Sequence, residues 1–238
     1  MKSTTERPPS SSHYDLLLAC KQTGCPVCRL SARSVKRYLE ALFYENVNDP
    51  GTRDNLVKSL GFCDEHVRLL LNTRIADGLG ASIIYENIVN VILRKFPQQR
   101  ESSQSARAIT GLISASDGLR NCAACEQRDA SSERALHELA KSLGEEKLRL
   151  ALQESDGLCF PHLAQVLERV QNPEYIGFLL ELTRTKLEKR GSEMAEFVRK
   201  NDHRFRSEGI TREEALAWRK AMCMISGASI TLTGEKHD

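Results

Sequence analysis

The chain has 238 residues, of which 40% are apolar and 28% charged, a composition that excludes a wholly disordered protein. Aromatic residues make up 5%, and there are 14 glycines and 7 prolines, which argues against a β-sandwich or β-barrel because those folds need frequent turns and aromatic strands. The net charge of +2 provides no overall attraction to nucleic acid or to an anionic membrane.

The N-terminal region predicts a tail followed by an apolar stretch. Residues 1–12 are rich in Ser, Thr and Pro, so we expect them to be disordered. The apolar run at 16–20 is too short for a signal peptide, and no run approaches the roughly 18 apolar residues of a membrane span. We therefore expect a cytoplasmic protein that does not enter a membrane, in which clustered cysteines serve metal or redox chemistry rather than disulfides.

Four helices are predicted in the first half of the chain. Asp49 and Pro50 predict the start of the second helix and Gly61 predicts its end. A third helix is expected to begin at Cys63 and a fourth near Asp77. The first is predicted by apolar residues at i, i+4, i+7 and i+8, namely Val35, Leu39, Leu42 and Phe43.

The second half also predicts helices. Residues 98–118 contain four serines and two glycines and read as a linker, and residues 228–238 read as a tail. Asn172 and Pro173 open a long helix, and the segment 211–214 forms a capping-box pattern before a final helix. That final helix is expected to bury Trp218, Met222 and Ile225. No strand pattern is present, so the predicted fold class is all-α.

Six of the eight cysteines belong to a duplicated motif. A CxxC pair and a following CxxH pair occur twice, with gaps of 34 and 33 residues, and the copies are offset by 97 residues at CxxC and 96 at CxxH. Apolar positions repeat at the same offset, which predicts two helical units at 13–97 and 119–227. The motif residues are Cys25, Cys28, Cys63, His66, Cys122, Cys125, Cys159 and His162.

Three Cys and one His form a common structural zinc site, and both CxxH motifs resemble helix N-termini, which favour a thiolate. The sequence thus predicts a duplicated helical unit, each with a Cys3His metal knuckle at helix N-termini, holding two structural Zn²⁺ ions. An iron–sulfur site is the alternative. The equal gaps make ligand pairing within a unit the simpler arrangement, but pairing of CxxC from one unit with CxxH from the other stays open. Cys20 and Cys223 are interpreted as packing residues.

Two polar clusters have both a structural and a functional interpretation. The turn at 45–53 is interpreted as helix capping, with a small polar pocket of an enzyme as the alternative. The stretch at 199–208 is interpreted as a salt-bridged face, with a basic nucleic-acid site that stacks bases on Phe205 as the alternative.

Several motifs occur together in order: CPVC at 25–28, YENVNDPGTR at 44–53, GFCDEH at 61–66 and RKNDHRF at 199–205. This set resembles an uncharacterised prokaryotic domain-of-unknown-function family over residues 13–227. The resemblance implies a bacterial, cytosolic, helical and metal-binding protein without an assigned activity. It also directs attention to one possible functional surface, formed by Glu45, Asn48, Asp49, Arg53, Lys200, Asp202, Arg204 and Trp218.

The sequence contains no nucleophile elbow, P-loop or dinucleotide fingerprint, so no catalytic or organic-cofactor residue is assigned. We therefore predict a zinc-stabilised helical binding or adaptor protein whose partner is another macromolecule, with protein favoured over nucleic acid. A nucleic-acid-associated zinc protein and an enzyme with a site near 45–53 are the alternatives.

Overall fold

The computed structural model describes residues 11–96, 107, 110–111 and 122–228. These residues form an all-helical fold, as predicted. The predicted tails and linker lie almost wholly outside this part of the chain. None of the described helices combines the length and the apolar character needed to cross a membrane. The helices are α1 (Ser11–Cys20), α2 (Pro26–Glu45), α3 (Pro50–Lys58), α4 (Asp64–Asn72), α5 (Gly78–Lys95), α6 (Ala123–Ser142), α7 (Glu146–Glu154), α8 (Phe160–Arg169), α9 (Pro173–Lys200) and α10 (Arg212–Ser226).

Side chains cap the predicted helix starts. The Asp49 carboxylate accepts the Thr52 amide at 2.7 Å before α3, and the Asp77 carboxylate accepts the Gly80 amide at 2.6 Å before α5. Before α10, Thr211 and Glu214 form the predicted capping box. These contacts satisfy amides that a helix start leaves without an intrahelical partner.

The chain divides into two compact units. Unit 1 comprises residues 1–32 and 131–238, and unit 2 comprises residues 33–130. The boundaries lie inside α2 and inside α6. These units differ from the contiguous ranges 13–97 and 119–227 that the sequence outlines, because each compact unit takes one CxxC motif from one range and one CxxH motif from the other.

Unit 1 packs α1 against α7 and packs α10 against both α8 and α9. Its core gathers buried leucines together with four cysteines. The core residues nearest the motifs in sequence are Cys25, Val27, Cys28, Leu30, Leu158, Cys159 and Leu163.

Unit 2 packs α3 against α5. Its core residues include Leu39, Leu42, Leu56, Phe62, Ile84, Ile88, Cys122 and Ala124. Positions related by the sequence offset have matching burial in the two units. Leu39 and Leu136 are both fully buried, as are Leu56 and Leu152.

The prediction for the buried face of the last helix is wrong. On α10, Trp218, Met222 and Ile225 are 44%, 60% and 56% exposed, and the buried residues are Glu214, Ala217 and Met224. Glu214 forms a 2.7 Å ion pair with Lys200 at the end of α9, which sets the rotation of α10. Periodicity alone does not distinguish this face from the neighbouring one, because both carry apolar residues at helical spacing.

Candidate metal centres

All eight motif residues lie at helix N-termini. In each motif the first residue directly precedes a helix and the second is the third residue of that helix, at the starts of α2, α4, α6 and α8. Cys63 and Cys159 have extended backbone angles, with φ of −67° and −74°, and neither sulfur caps its helix. Side chains at these two helix positions approach each other, as they do in a capping box. Each motif therefore presents two ligand atoms on one turn.

In unit 1, the starts of α2 and α8 come together. Cys28 Sγ lies 3.7 Å from Cys159 Sγ and 3.3 Å from His162 Nδ1. His162 Nδ1 also lies 3.5 Å from Cys25 Sγ and 3.1 Å from Cys159 Sγ. We call these four residues the unit 1 centre.

In unit 2, the starts of α4 and α6 form a matching group. Cys63 Sγ lies 3.6 Å from Cys125 Sγ and 3.1 Å from His66 Nδ1. His66 Nδ1 lies 3.5 Å from Cys122 Sγ and 3.5 Å from Cys125 Sγ. We call these four residues the unit 2 centre.

The ligands pair across the sequence repeats, and the simpler pairing within each repeat is wrong. The group Cys25, Cys28, Cys159 and His162 combines the first CxxC with the second CxxH, and the other group combines the remaining two motifs. The first turns of α2 and α6 decide this outcome, because Val27 and Leu30 are buried in the core that contains Cys159, whereas Cys122 and Ala124 are buried in the core against which Cys63 packs. Motif spacing carries no information about that choice.

Both groups fit one metal ion each. In every group, all four donor atoms lie within 4.8 Å of one another. A tetrahedral Zn²⁺ ion with typical bond lengths places its sulfur donors about 3.8 Å apart and its sulfur and nitrogen donors about 3.6 Å apart. The measured separations of 3.6–3.7 Å and 3.1–3.5 Å are close to these values. The sulfurs are too far apart for disulfides, and all eight cysteines are free.

Contacts among the four side chains of each group shift their pKa values in opposite directions. Burial opposes ionisation of Cys25, but hydrogen bonds from Cys159, Cys28 and His162 outweigh it and hold the Cys25 pKa well below its usual value. Hydrogen bonds with Cys159 and Cys25, together with burial, raise the pKa of Cys28. Burial lowers the pKa of His162 because it disfavours the charged imidazolium. Contacts with Cys159 and Cys25 have the larger effect and raise this pKa to about 9.

The unit 2 centre shows the same division between its CxxC sulfurs. Burial opposes ionisation of Cys122, yet hydrogen bonds from His66 and from backbone amides lower its pKa to about 6. Burial and the Cys63 contact raise the pKa of Cys125 to about 12. The first sulfur of the pair is therefore the preferred thiolate, and the second keeps its proton until a cation replaces it.

Residues outside the motifs position the unit 1 centre. Ser132 Oγ lies 3.0 Å from His162 Nε2, a contact that fixes the ring with Nδ1 toward the sulfurs. The Asp156 carboxylate accepts the Gly24 amide at 2.8 Å and the Lys220 ammonium at 3.0 Å, and it also pairs with Arg190. Since Gly24 directly precedes Cys25 and Asp156 precedes Cys159 by three residues, this carboxylate joins the two ligand-bearing turns.

The unit 2 centre has a different link between its helices. Arg128 on α6 donates to Glu65 on α4 at 3.0 Å. Glu65 directly precedes His66, and Arg128 follows Cys125 by three residues in the same helix. Sequence reasoning missed Ser132, Asp156 and Arg128. The one available signal was Asp156, a lone acid in the loop before a motif cysteine.

Within the described residues, the polar turn at 45–53 of unit 2 has a structural role. Glu45, Asn48 and Asp49 are exposed, and the Asp49 carboxylate caps α3. Its hydrogen bond from the Thr52 amide lowers the Asp49 pKa. Arg53 is half-buried, and its Nε atom has no hydrogen-bond partner within the described ranges.

The other four predicted surface residues belong to unit 1. Lys200 is paired with Glu214, and Arg204 is paired with Asp202 at 2.7 Å. The eight residues therefore divide between the two compact units, four in each. Trp218 is exposed, with the Arg219 guanidinium 5.1 Å from its ring centroid.

Arg199, whose guanidinium lies over the Phe205 ring, is also paired with carboxylates. Arg199 pairs with Glu196 at 2.7 Å and with Glu208 at 2.5 Å. The guanidinium groups of Arg199 and Arg204 lie 4.8 Å and 5.6 Å from the Phe205 ring centroid. The ring that was considered as a base-stacking platform thus contacts cations of its own segment.

The fold and its sites define an all-helical protein with two Cys3His groups capable of holding metal ions. The chain belongs to DUF6062, a family of unknown function whose sequence profile matches residues 15–230, which confirms the resemblance seen in the motifs. A relative from Caldicellulosiruptor sp. (strain Rt8B.4), described as an uncharacterized 23.9 kDa protein in the xynA 3' region, is 27% identical over 210 residues, covering 87% of this chain and 97% of the relative. No solved structure matches the chain.

Proposed function

We propose that this chain is a zinc-stabilised helical binding protein in which two Zn²⁺ ions are structural. The observation that carries the proposal is the closed donor set of each centre, with three sulfurs and one imidazole nitrogen within 4.8 Å of one another. Four protein donors leave no open position for water or substrate, which is typical of structural zinc. Each ion would join two helix starts that are distant in sequence and so contribute to folding.

Zinc is favoured over an iron–sulfur cluster by the size of the sites. Donor atoms this close together fit a single ion at about 2.0–2.3 Å from each donor. A cluster of several irons needs more room between its sulfur ligands. Thiolate ligands also require a reducing compartment, so we place the protein in the cytoplasm.

We further propose that the two units derive from one repeated helical unit. Matched burial at Leu39 and Leu136, and at Leu56 and Leu152, supports this proposal. So do the equal geometries of the two centres, in which the CxxH sulfur and nitrogen are 3.1 Å apart in both.

A surface on α10 supports a binding role with protein as the partner. Trp218, Met222 and Ile225 lie at i, i+4 and i+7 and are exposed, and we call them the α10 ridge. Aromatic and methionine side chains are typical anchors of protein interfaces. In the 199–208 segment, Arg199, Lys200 and Arg204 are engaged by carboxylates, which favours a protein partner over nucleic acid.

Elemental analysis of the purified protein tests the metal assignment. We expect about two zinc ions per chain, one for each tetrahedral site. A metal-free protein with the same unfolding midpoint would contradict the proposal. Iron in place of zinc, with visible absorption from sulfur-to-iron charge transfer, would favour the cluster alternative.

Ridge variants test the binding role. A Trp218→Ser/Met222→Ser double variant should lose partner proteins that the wild-type chain retains in co-purification. Val198→Ser is the control, since Val198 is an exposed apolar residue on α9 that lies outside the ridge. Equal recovery of the same partners by both variants would contradict the assignment of the ridge.

A further inference from the structure

Each centre contains a pair of sulfurs that come from different motifs and lie less than 4 Å apart. In unit 1 this pair is Cys28 and Cys159, with Sγ atoms 3.7 Å apart. In unit 2 it is Cys125 and Cys63, with Sγ atoms 3.6 Å apart. The two pairs occupy corresponding positions in the motifs, so they differ in their surroundings rather than in their geometry.

The surroundings of the unit 1 pair exclude solvent. Cys28 and Cys159 are both buried. The Gly227 carbonyl at the end of α10 accepts a hydrogen bond from Cys28 Sγ at 3.5 Å. Gly227 also lies against the start of α8, where an added Cβ would be 2.9 Å from Pro161 Cγ. The end of α10 therefore covers this pair.

The unit 2 pair is accessible. Cys63 and Cys125 are both half-buried, whereas the third sulfur of that centre, Cys122, is fully buried. The accessible sulfurs are therefore the two that come from different motifs and lie 3.6 Å apart. Oxidation of cysteine follows access and thiolate character, and metal ligands are thiolates.

We propose that Cys63 and Cys125 are a site of oxidative modification by peroxides, in which they form a disulfide and the unit 2 centre releases its metal ion. The release rests on the proposed metal binding. The unit 1 centre keeps its ion under the same conditions because its corresponding pair is covered.

The reaction balances with peroxide as the only oxidant. One thiolate attacks a peroxide oxygen, the O–O bond breaks, and a sulfenic acid and hydroxide form. The second thiolate attacks the sulfenic sulfur, the S–S bond forms, and a second hydroxide leaves. Two protons convert the hydroxides to water, so two thiolates lose two electrons and hydrogen peroxide is reduced to two waters.

The geometry permits the disulfide with a small movement. A disulfide requires a sulfur separation of about 2.05 Å, so the Sγ atoms must approach by about 1.5 Å. Cys63 lies between α3 and α4, two residues after Gly61, rather than inside a helix. Loss of two of the four donors then leaves the metal with Cys122 and His66, too few for a structural site.

The test is a hydrogen peroxide time course on the full-length protein as purified, in a Cys20→Ser/Cys223→Ser background that removes the two thiols outside the centres. Disulfides are mapped by mass spectrometry of unreduced digests, and released zinc is followed with a chromogenic chelator. We expect the Cys63–Cys125 disulfide to form at least about tenfold faster than the Cys28–Cys159 disulfide. One equivalent of zinc should be released in step with it.

Gly227→Val provides a second, independent arm. The added side chain meets Pro161 and displaces the end of α10, so the Cys28–Cys159 disulfide should form faster than in the parent chain. An unchanged slow rate would overturn the protecting role of α10.

Equal rates for the two pairs, or first oxidation at Cys28 and Cys159, would overturn the proposal. If the purified protein contains no metal, the proposed function fails, but the two disulfide rates still decide which pair is accessible. Two bound zinc ions with equal oxidation rates would overturn this inference alone.

Discussion

At the scale of single residues, Asp156 links the parts of the unit 1 centre that the chain keeps far apart. Its carboxylate accepts from Gly24, Lys220 and Arg190. These partners outweigh the effect of burial, so the pKa of Asp156 is lowered. Removing one partner from such a buried network leaves the remaining charges without compensation.

Asp156→Asn should therefore lower the free energy of unfolding by about 3 kcal/mol at pH 7, because Arg190 and Lys220 lose their common anion. Since the Asp156 pKa is lowered in the folded state, its stabilisation is present above the ordinary Asp value and disappears as the pH falls below about 4. Urea unfolding of both proteins measures the difference. Asp202→Asn, which removes a more accessible, half-buried carboxylate paired with Arg204, is the control and should cause little change. Equal stability of the Asp156 variant and wild type would show that this carboxylate does not hold the two turns of the unit 1 centre together.

Metal binding should release protons, because several ligands are protonated at pH 7 in the metal-free centres. The raised pKa values of Cys28, His162 and Cys125 mean that these groups must lose protons when they bind a cation. The apparent affinity for zinc should consequently rise with pH. Calorimetric titrations in two buffers with different ionisation enthalpies will measure the released protons, and we expect at least one for each of these three ligands. A heat of binding that does not depend on the buffer would contradict this assignment.

At the scale of helices, both centres are built from helix ends. Four N-termini supply the ligands, and their partial positive charge favours thiolates. In unit 1 the C-terminus of α10 also contacts the centre, because the Gly227 carbonyl accepts a hydrogen bond from Cys28 Sγ. Gly227 ends α10 with a φ of 77°. That left-handed conformation is readily adopted by glycine and is unfavourable for residues with a Cβ.

Gly227→Ala should destabilise the protein by about 1–2 kcal/mol, since the methyl group both strains the backbone and meets Pro161. Gly191→Ala is the matched control, because Gly191 lies in α9 with no heavy atom within 4 Å of the added Cβ. That control should be stabilising by about 0.5–1 kcal/mol, as alanine favours helix. Thermal unfolding followed by circular dichroism gives both values. The same change in unfolding midpoint for both variants would mean that the end of α10 does not pack on α8.

The helix starts were predictable because each depends on a few neighbouring residues. Asp49, Asp77, Asn172 and Thr211 all cap the helices that they precede. The buried face of α10 was not predictable, because the Lys200–Glu214 pair joins residues of different helices. Local patterns thus determine where helices begin, and tertiary contacts determine how they are rotated.

At the scale of the whole chain, each Cys3His group combines the CxxC motif of one repeat with the CxxH motif of the other. The sequence predicted the eight candidate ligand residues and the helix starts that carry them, since residue type and spacing are local properties. It did not determine which CxxC meets which CxxH, because that depends on the packing of α2 and α6 in the two cores. The compact units follow the metal centres rather than the order of the chain.

Removal of metal should destabilise both units, because each centre joins segments far apart in sequence. A chelator with a reductant is expected to lower the unfolding midpoint and reduce helicity, and added zinc should restore both. Circular dichroism before and after zinc addition measures the change. A chelated protein with unchanged unfolding would contradict a structural role for the ions.

The zinc content of two double variants decides whether each metal centre takes its ligands from both repeats. Cys28→Ser/Cys159→Ser removes two ligands of one centre and should retain one zinc ion per chain in native mass spectrometry. Cys28→Ser/Cys63→Ser removes one ligand from each centre and should retain none. The opposite result, with no zinc in the first variant and one ion in the second, would show that the ligands pair within each repeat and would contradict the account.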